Sequence, residues 1–236
     1  MQGYLLLEGG AEFGGQMELA DRRALELAGG LNAPVRILPT AAAPDQNHQR
    51  AGNNGVRWFR ALGASDVAAV PVIDRASAAD AALATELGRA RLIYLLGGFT
   101  GYLGETLKDS LCWQAALEAY VNGALLAGSS AGAMVLCQYY FNPEKGQVVQ
   151  GLNLLPNTCV LPHHNTFGRR WAERLSVLMP AVVLLGIDER TGMLDDGNGS
   201  RKCSWRVYGQ GNVTIYRHGQ PVVYAAGEQF EDEFLA

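Results

Sequence analysis

Short, almost wholly apolar runs that stop at glycine pairs alternate with segments whose apolar residues recur at helical spacing. This pattern constrains the fold more than any other feature of the chain. Tyr4 to Leu7 is the first such run and ends before Gly9-Gly10. Gln16 to Leu27 then spaces Met17, Leu19, Ala20, Ala24, Leu25 and Leu27 along one helical face, closed by Gly29-Gly30. Val35 to Thr40 reads as the next strand, and a polar loop leads from it to a helix carrying Val56, Trp58, Phe59 and Leu62. Val67 to Ile73 predicts a third strand, Ser77 an N-cap for an alanine-rich helix reaching Leu87, and Leu92 to Leu96 a strand that ends in Gly97-Gly98. A strand that is apolar on both faces has to bury both. The expected class is therefore α/β, three-layered, with a mostly parallel sheet covered by helices on either side. Beyond about Gly146 the rhythm changes. Ser204 to Tyr208 and Asn212 to Tyr216, joined by Gly209-Gln210-Gly211, predict a hairpin and a small antiparallel C-terminal extension of the main sheet.

The 236 residues suit one large domain, 1–236, because no linker, low-complexity tract, charge block or repeat divides them. A formal net charge of −4 gives no basic face for nucleic acid. The opening segment Met1 to Glu8 carries no basic n-region, and its apolar run is too short for a signal h-region or a membrane span, so it reads as the first strand of a cytoplasmic protein. The four cysteines, Cys112, Cys137, Cys159 and Cys203, form no C-x-x-C pair. Neither a metal site nor a disulfide framework is expected, and no cofactor.

Ligands of such sheets bind beyond the carboxyl ends of the strands, near a topological switch point. Two strand ends carry glycine-rich turns, Gly97-Gly98 and Gly128-Ser129-Ser130-Ala131-Gly132. The second follows the apolar run Ala124 to Ala127 and leads into a helix-like segment, the setting of a Gly-x-Ser-x-Gly nucleophile elbow with Ser130 at its tip. Free N–H groups at the start of the following helix favour the charge of a tetrahedral intermediate. A serine hydroxyl needs a base within hydrogen-bonding reach. Of four histidines, His48 lies in a polar loop and His218 in a turn, whereas His163 and His164 follow the strand-like Thr158 to Leu161. One of that pair is the expected base. The backbone N–H of Ala131 and one from the Gly97-Gly98 turn are candidates for an oxyanion hole. For the acid that orients the imidazole, Glu144 is the only carboxylate between Ser130 and the histidine pair, and Asp188 and Glu189, at the end of another apolar run, are the alternatives or else contacts for a substrate amino group.

Six segments in this order, Leu7-Glu8-Gly9-Gly10-Ala11-Glu12, Leu38-Pro39-Thr40-Ala41, Gly97-Gly98-Phe99-Thr100, Ala127 to Ala133, Gly186-Ile187-Asp188-Glu189 and Gly211 to Tyr216, resemble peptidase family S51, which contains cyanophycinase and the aspartyl dipeptidase peptidase E. The likeness runs over nearly the whole chain and implies a flavodoxin-like fold similar to class I glutamine amidotransferases, with a serine nucleophile. Carried over residue by residue, it implies Ser130 as nucleophile, His163 as base, Glu144 as acid, and Gly98 and Ala131 at the oxyanion hole. His164 takes a position that is aromatic in relatives. Phe99 stands where many relatives have Asn, Asp or Gln and is expected, with His164, Asp188 and Glu189, to touch substrate. A homodimer is a family-level expectation.

The leading expectation is a cytoplasmic serine exopeptidase or isopeptidase acting on short, Asp-containing peptides. The alternative is a non-catalytic ligand-binding or regulatory protein of the same fold. Glutamine amidotransfer would need a cysteine at the elbow, and Ser130 argues against it.

Overall fold

The computed structural model describes residues 3–196 and 204–231. Its strands are β1 (Leu5–Glu8), β2 (Val35–Leu38), β3 (Val67–Ala69), β4 (Leu92–Leu95), β5 (Leu125–Ser129), β6 (Tyr139–Asn142), β7 (Gln147–Gln150), β8 (Thr158–Leu161), β9 (Val183–Ile187), β10 (Thr191–Asp195), β11 (Ser204–Gly209), β12 (Asn212–Arg217), β13 (Gln220–Ala225) and β14 (Gln229–Glu231). Its helices are α1 (Glu18–Leu27), α2 (His48–Ala61), α3 (Arg75–Ala78), α4 (Ala81–Gly88), α5 (Thr100–Leu107), α6 (Leu111–Val121), α7 (Ala131–Leu136) and α8 (Arg169–Leu178).

Eight strands form the main sheet in the order β14-β11-β10-β1-β5-β4-β2-β3. From β1 to β3 the neighbours are parallel, and from β1 outward through β10, β11 and β14 they are antiparallel. The central parallel strands β1, β4 and β5 are buried on both sides, and their apolar side chains alternate between two clusters. Leu5, Leu7, Ile93, Leu95 and Leu126 belong to one hydrophobic cluster, and Leu6, Leu92, Tyr94, Leu125 and Ala127 to the other. Each of these side chains is withdrawn from water, roughly 1.5–3 kcal/mol for a fully buried Leu or Ile. That burial explains why the strands read as unbroken apolar runs. Helices α1 and α2 cover one face; α4 to α7 cover the other.

A second sheet, ordered β13-β12-β9-β8, lies on the α5–α7 side. Its inner residues Val160, Leu185, Ile187, Val213 and Ile215 join the larger cluster, while Cys159, Leu161 and Leu184 pack outward under Ala172 and Leu175 of α8. Strands β6 and β7 form a separate hairpin.

Three expectations are corrected here. Ser204–Tyr208 and Asn212–Tyr216 are not a hairpin: β11 pairs with β10 and β14 in the main sheet, whereas β12 pairs with β9 and β13 in the second. The linking glycines therefore carry the chain from one sheet to the other. Gly209 has φ +102, and a Cβ there would lie 2.1 Å from the Arg190 carbonyl oxygen, so only glycine permits the crossing. Ser77 does not open the alanine-rich helix. Asp74 caps α3, with Ser77 as the reciprocal partner of its capping box, and Asp80 caps α4 by accepting the N–H groups of Ala82 and Leu83. The third strand stops at Ala69, short of Ile73. Cys112, Cys137 and Cys159 are buried free thiols; Cys203 lies outside the described residues.

Candidate active site

The turn between β5 and α7 is built by what its glycines exclude. A Cβ on Gly128 would lie 2.5 Å from the Gly132 carbonyl carbon, and one on Gly132 would lie 2.1 Å from the Leu95 carbonyl oxygen. Both positions must be bare for α7 to start so close to the sheet. Between them Ser130 takes φ 48° and ψ −110°, a region that L-residues occupy at a cost of about 1–3 kcal/mol and that surrounding structure must enforce. The enforcement is visible. The Ser130 N–H donates to the Glu8 carbonyl at 2.9 Å, and the Ser130 carbonyl accepts from the Met134 N–H at 3.0 Å. Beside the nucleophile-like hydroxyl, Ser129 donates from its Oγ to Glu12 Oε2 at 2.7 Å, tying the elbow to the loop after β1.

His163 stands just past the end of β8 in a left-handed conformation, φ 47° and ψ 41°. Its N–H donates to the Gly9 carbonyl at 2.7 Å, and its own carbonyl accepts the N–H groups of Thr166, Phe167 and Gly168. The ring is stacked on Phe167 with centroids 4.9 Å apart. Gly10 also abuts the ring: a Cβ there would lie 2.4 Å from its Cε1. His163 Nε2 is 3.0 Å from Ser130 Oγ, and His163 Nδ1 is 2.8 Å from Glu189 Oε1. A carboxylate at Nδ1 holds the proton there and leaves the Nε2 lone pair facing the serine hydroxyl. Glu189 follows β9; its N–H donates to Asn165 Oδ1 at 3.0 Å, and the next residue, Arg190, donates its N–H to the Gly10 carbonyl at 2.8 Å.

Three consecutive carbonyls at the end of β1 thus receive the N–H groups of Ser130, His163 and Arg190. Gly9-Gly10 was legible as a strand-end turn, but nothing in the sequence marks it as the seat of the imidazole. The seat requires both glycines: Gly10 has φ +115°, and a Cβ on Gly9 would lie 2.2 Å from the Asp188 carbonyl oxygen.

Gly97 and Gly98 abut the same point. A Cβ on Gly97 would lie 3.2 Å from Ser130 Cβ. Gly98, at φ +139°, has its missing Cβ 2.4 Å from the Ala41 carbonyl oxygen, and the Phe99 N–H donates to that oxygen at 2.9 Å, so the turn is pinned. Among the described residues neither the Gly98 nor the Ala131 N–H has a protein acceptor. Phe99 is half-buried at the head of α5 and caps it with no side-chain bond.

Glu144 is not brought to the imidazole. It lies in the exposed β6–β7 turn, where its N–H donates to Asn142 Oδ1 at 3.0 Å, and its carboxylate lies over Gly101 of α5. Sequence order made it the only acid between Ser130 and His163, but the hairpin carries it to the α5 side of the elbow. Of the alternatives weighed with it, Glu189 makes the contact with His163 and Asp188 does not. His164 turns the other way. Its Nε2 is 2.9 Å from the Tyr216 hydroxyl and its Nδ1 is 3.4 Å from Asp188 Oδ1. Burial pushes the His164 pKa down, against the opposing pull of Asp188. His48 opens α2 and His218 sits in the β12–β13 turn, so neither joins the cluster. A cavity of about 810 Å³ on the outer side of the second sheet is lined by His164, Arg169, Asp188, Tyr216 and neighbours, but by none of Ser130, His163 or Glu189. At the serine site the side chains of His163 and Glu189 are 21% and 34% exposed, so the site is reached from solvent. Among the described residues no group of three or more His, Cys, Asp or Glu converges as a metal site, and no helix is long and apolar enough to cross a membrane.

The profile of peptidase family S51 matches residues 5–201. The chain belongs to peptidase family S51. Among curated S51-like relatives it is 30% identical over 201 residues to a cyanophycinase of Synechococcus elongatus, an alignment covering 80% of this chain and 60% of that protein. It is 28% identical over 238 residues to a cyanophycinase of Geminocystis herdmanii, covering 95% and 84%. The chain thus spans 60% of the length of the first of these relatives. Among solved structures, a peptidase from an acI-B1 actinobacterium superposes with a TM-score of 0.84 at 28% identity, covering 98% of both chains. A putative peptidase E protein from Listeria monocytogenes EGD-e superposes with a TM-score of 0.59 at 18% identity, a likeness of fold alone.

Proposed function

We propose that this S51 member is a serine peptidase whose triad is Ser130, His163 and Glu189. The observation that carries the reading is the unbroken chain from Ser130 Oγ through His163 Nε2 at 3.0 Å and His163 Nδ1 to Glu189 Oε1 at 2.8 Å. His163 Nε2 takes the hydroxyl proton as Ser130 Oγ attacks the amide carbonyl carbon, and Glu189 stabilises the imidazolium that results. The Gly98 and Ala131 N–H groups, both without an acceptor among the described residues, receive the oxyanion. Collapse expels the amine, protonated by His163. Water, deprotonated by the same nitrogen, then hydrolyses the acyl ester and returns the proton to Ser130.

The substrate we propose is a short peptide or isopeptide with an aspartyl or β-aspartyl residue on the acyl side. Support comes from relatives named cyanophycinase and from the partial exposure of His163 and Glu189, which leaves the site open to solvent. Phe99, beside the oxyanion turn, is proposed as a wall of the pocket. The cytoplasm is the proposed compartment, in keeping with the free thiols of Cys112, Cys137 and Cys159. A fluorophosphonate should label wild-type protein and leave Ser130→Ala unlabelled. Equal labelling of the two would sink the proposal. A screen of Asp-X dipeptides, β-Asp-Arg and N-blocked analogues then reads the substrate class.

A further inference from the structure

His163-His164 and Asp188-Glu189 are two doublets, and the fold pairs them twice. On the inner side Glu189 holds His163. On the outer side Asp188 faces His164 at 3.4 Å, and the side chains are only 9% and 7% exposed. The outer pair ends in a hydroxyl as the inner one does: the Tyr216 oxygen is 2.9 Å from His164 Nε2. Two hydroxyl–imidazole–carboxylate chains therefore stand back to back, joined by the peptide bonds between the members of each doublet.

The outer chain is sterically fitted. A Cβ on Gly186 of β9 would lie 2.5 Å from His164 Cδ2, and one on Gly211 would lie 2.7 Å from Asp188 Cβ. Both glycines are needed for the ring and the carboxyl to enter the sheet. The second oxygen of Asp188 accepts the Asn212 N–H at 2.8 Å, and the Asp188 N–H donates to the Asn212 carbonyl at 3.1 Å. With its carboxylate anchored to β12 and directed at Nδ1, His164 carries its proton on that nitrogen, and Nε2 accepts from the Tyr216 hydroxyl. On the inner side, among the described residues, no backbone N–H reaches the Glu189 carboxylate, whose contact is His163. The backbone of Glu189 is held by its N–H on Asn165 Oδ1 and by the Thr191 hydroxyl on its carbonyl.

We propose that Tyr216, His164 and Asp188 form a positioning relay that locks the two doublets against each other and so holds Glu189 on His163. This rests on the serine mechanism proposed above. A displacement of about 1 Å in such a constellation costs as much as 100-fold in rate. Loss of one oxygen from the relay should therefore slow the chemistry without emptying the site.

The test compares Tyr216→Phe, which keeps the ring against His164, with His164→Phe. Three quantities are read: the fluorophosphonate labelling rate of Ser130 against pH, the low-field proton NMR signal of the His163–Glu189 hydrogen bond, and the thermal midpoint. Tyr216→Phe is expected to label about tenfold more slowly at neutral pH, from part of that positional cost. The pH profile of labelling should change with the rate, a readout that a merely structural role would not move. The low-field signal should move or broaden with the midpoint nearly unchanged. His164→Phe should do the same more strongly. Wild-type rates, an unchanged pH profile and an unmoved signal in both variants would overturn the relay. If the wild type itself is not labelled at Ser130 while the low-field signal still responds to Tyr216→Phe, the serine mechanism fails and the relay stands.

Discussion

At the scale of single residues, Ser130 and Glu189 differ in how openly the sequence announces them. Ser130 is framed by Gly128 and Gly132, whose missing side chains have a local and recognisable cause, and an elbow of this kind is written within six residues. The acid is written nowhere locally. Glu144 is the only carboxylate between Ser130 and His163 in chain order, but order is not distance, and the β6–β7 hairpin carries it to Gly101 of α5. Glu189 reaches His163 because β8 and β9 are parallel neighbours, so the residues past Leu161 and Ile187 emerge at the same edge. That adjacency is tertiary. Glu189→Gln keeps the shape and removes the charge, and kcat should fall roughly 10³- to 10⁴-fold, as for removal of a triad acid. Glu144→Gln should stay within about twofold, the behaviour of a group outside the transition state. Steady-state kinetics of the two variants on whichever peptide the screen identifies would decide between the acids.

At the scale of elements, the strands of the parallel half were legible because their periodicity is forced by burial on two faces. The C-terminal third was not. Ser204–Tyr208 and Asn212–Tyr216 carry the same alternation as any hairpin, and the glycines between them fit a turn as well as a crossing. What the sequence does not show is that Arg190 occupies the inside of that bend. Gly209 is where the crossing is tightest, so Gly209→Ala combines a left-handed φ with a backbone collision. It should destabilise the fold by about 1–3 kcal/mol or more, which lowers the melting midpoint of a domain this size by roughly 2–4 °C per kcal/mol. Calorimetry reads the midpoint directly. An unchanged midpoint would mean that β11 and β12 do not need this path.

At the scale of the whole molecule, one acid cluster sets how stability responds to pH. Glu8 and Asp21 are buried on the α1–α2 side of the sheet, where the Tyr94 hydroxyl donates to Glu8 Oε2 and the Trp58 indole N–H to Asp21 Oδ2. The remaining oxygens, Glu8 Oε1 and Asp21 Oδ1, are buried with no partner among the described residues. Burial, and secondarily the charge of Asp21, raises the Glu8 pKa well above its usual range. Burial raises Asp21 to about 7, against the lowering pull of the Trp58 bond. A carboxyl whose folded pKa lies above its unfolded value contributes stability that is complete below the unfolded pKa and is lost as pH rises through the folded one. The melting midpoint should therefore fall between pH 5 and pH 8, by several degrees at roughly 2–4 °C per kcal/mol, and Asp21→Asn should flatten that slope. A midpoint that rises over this interval would contradict the neutral state of the cluster. Glu8 also contributes the first of the three carbonyls at the end of β1 that index Ser130, His163 and Arg190 to one another. A nascent copy on the ribosome acquires its serine and imidazole well before the acid that completes them. The strand that registers all three precedes each of them in the chain and is paired on its second side only when β10 arrives. The proposed triad is therefore complete only once the chain has passed Glu189, and any shorter stretch holds a serine and an imidazole without their acid.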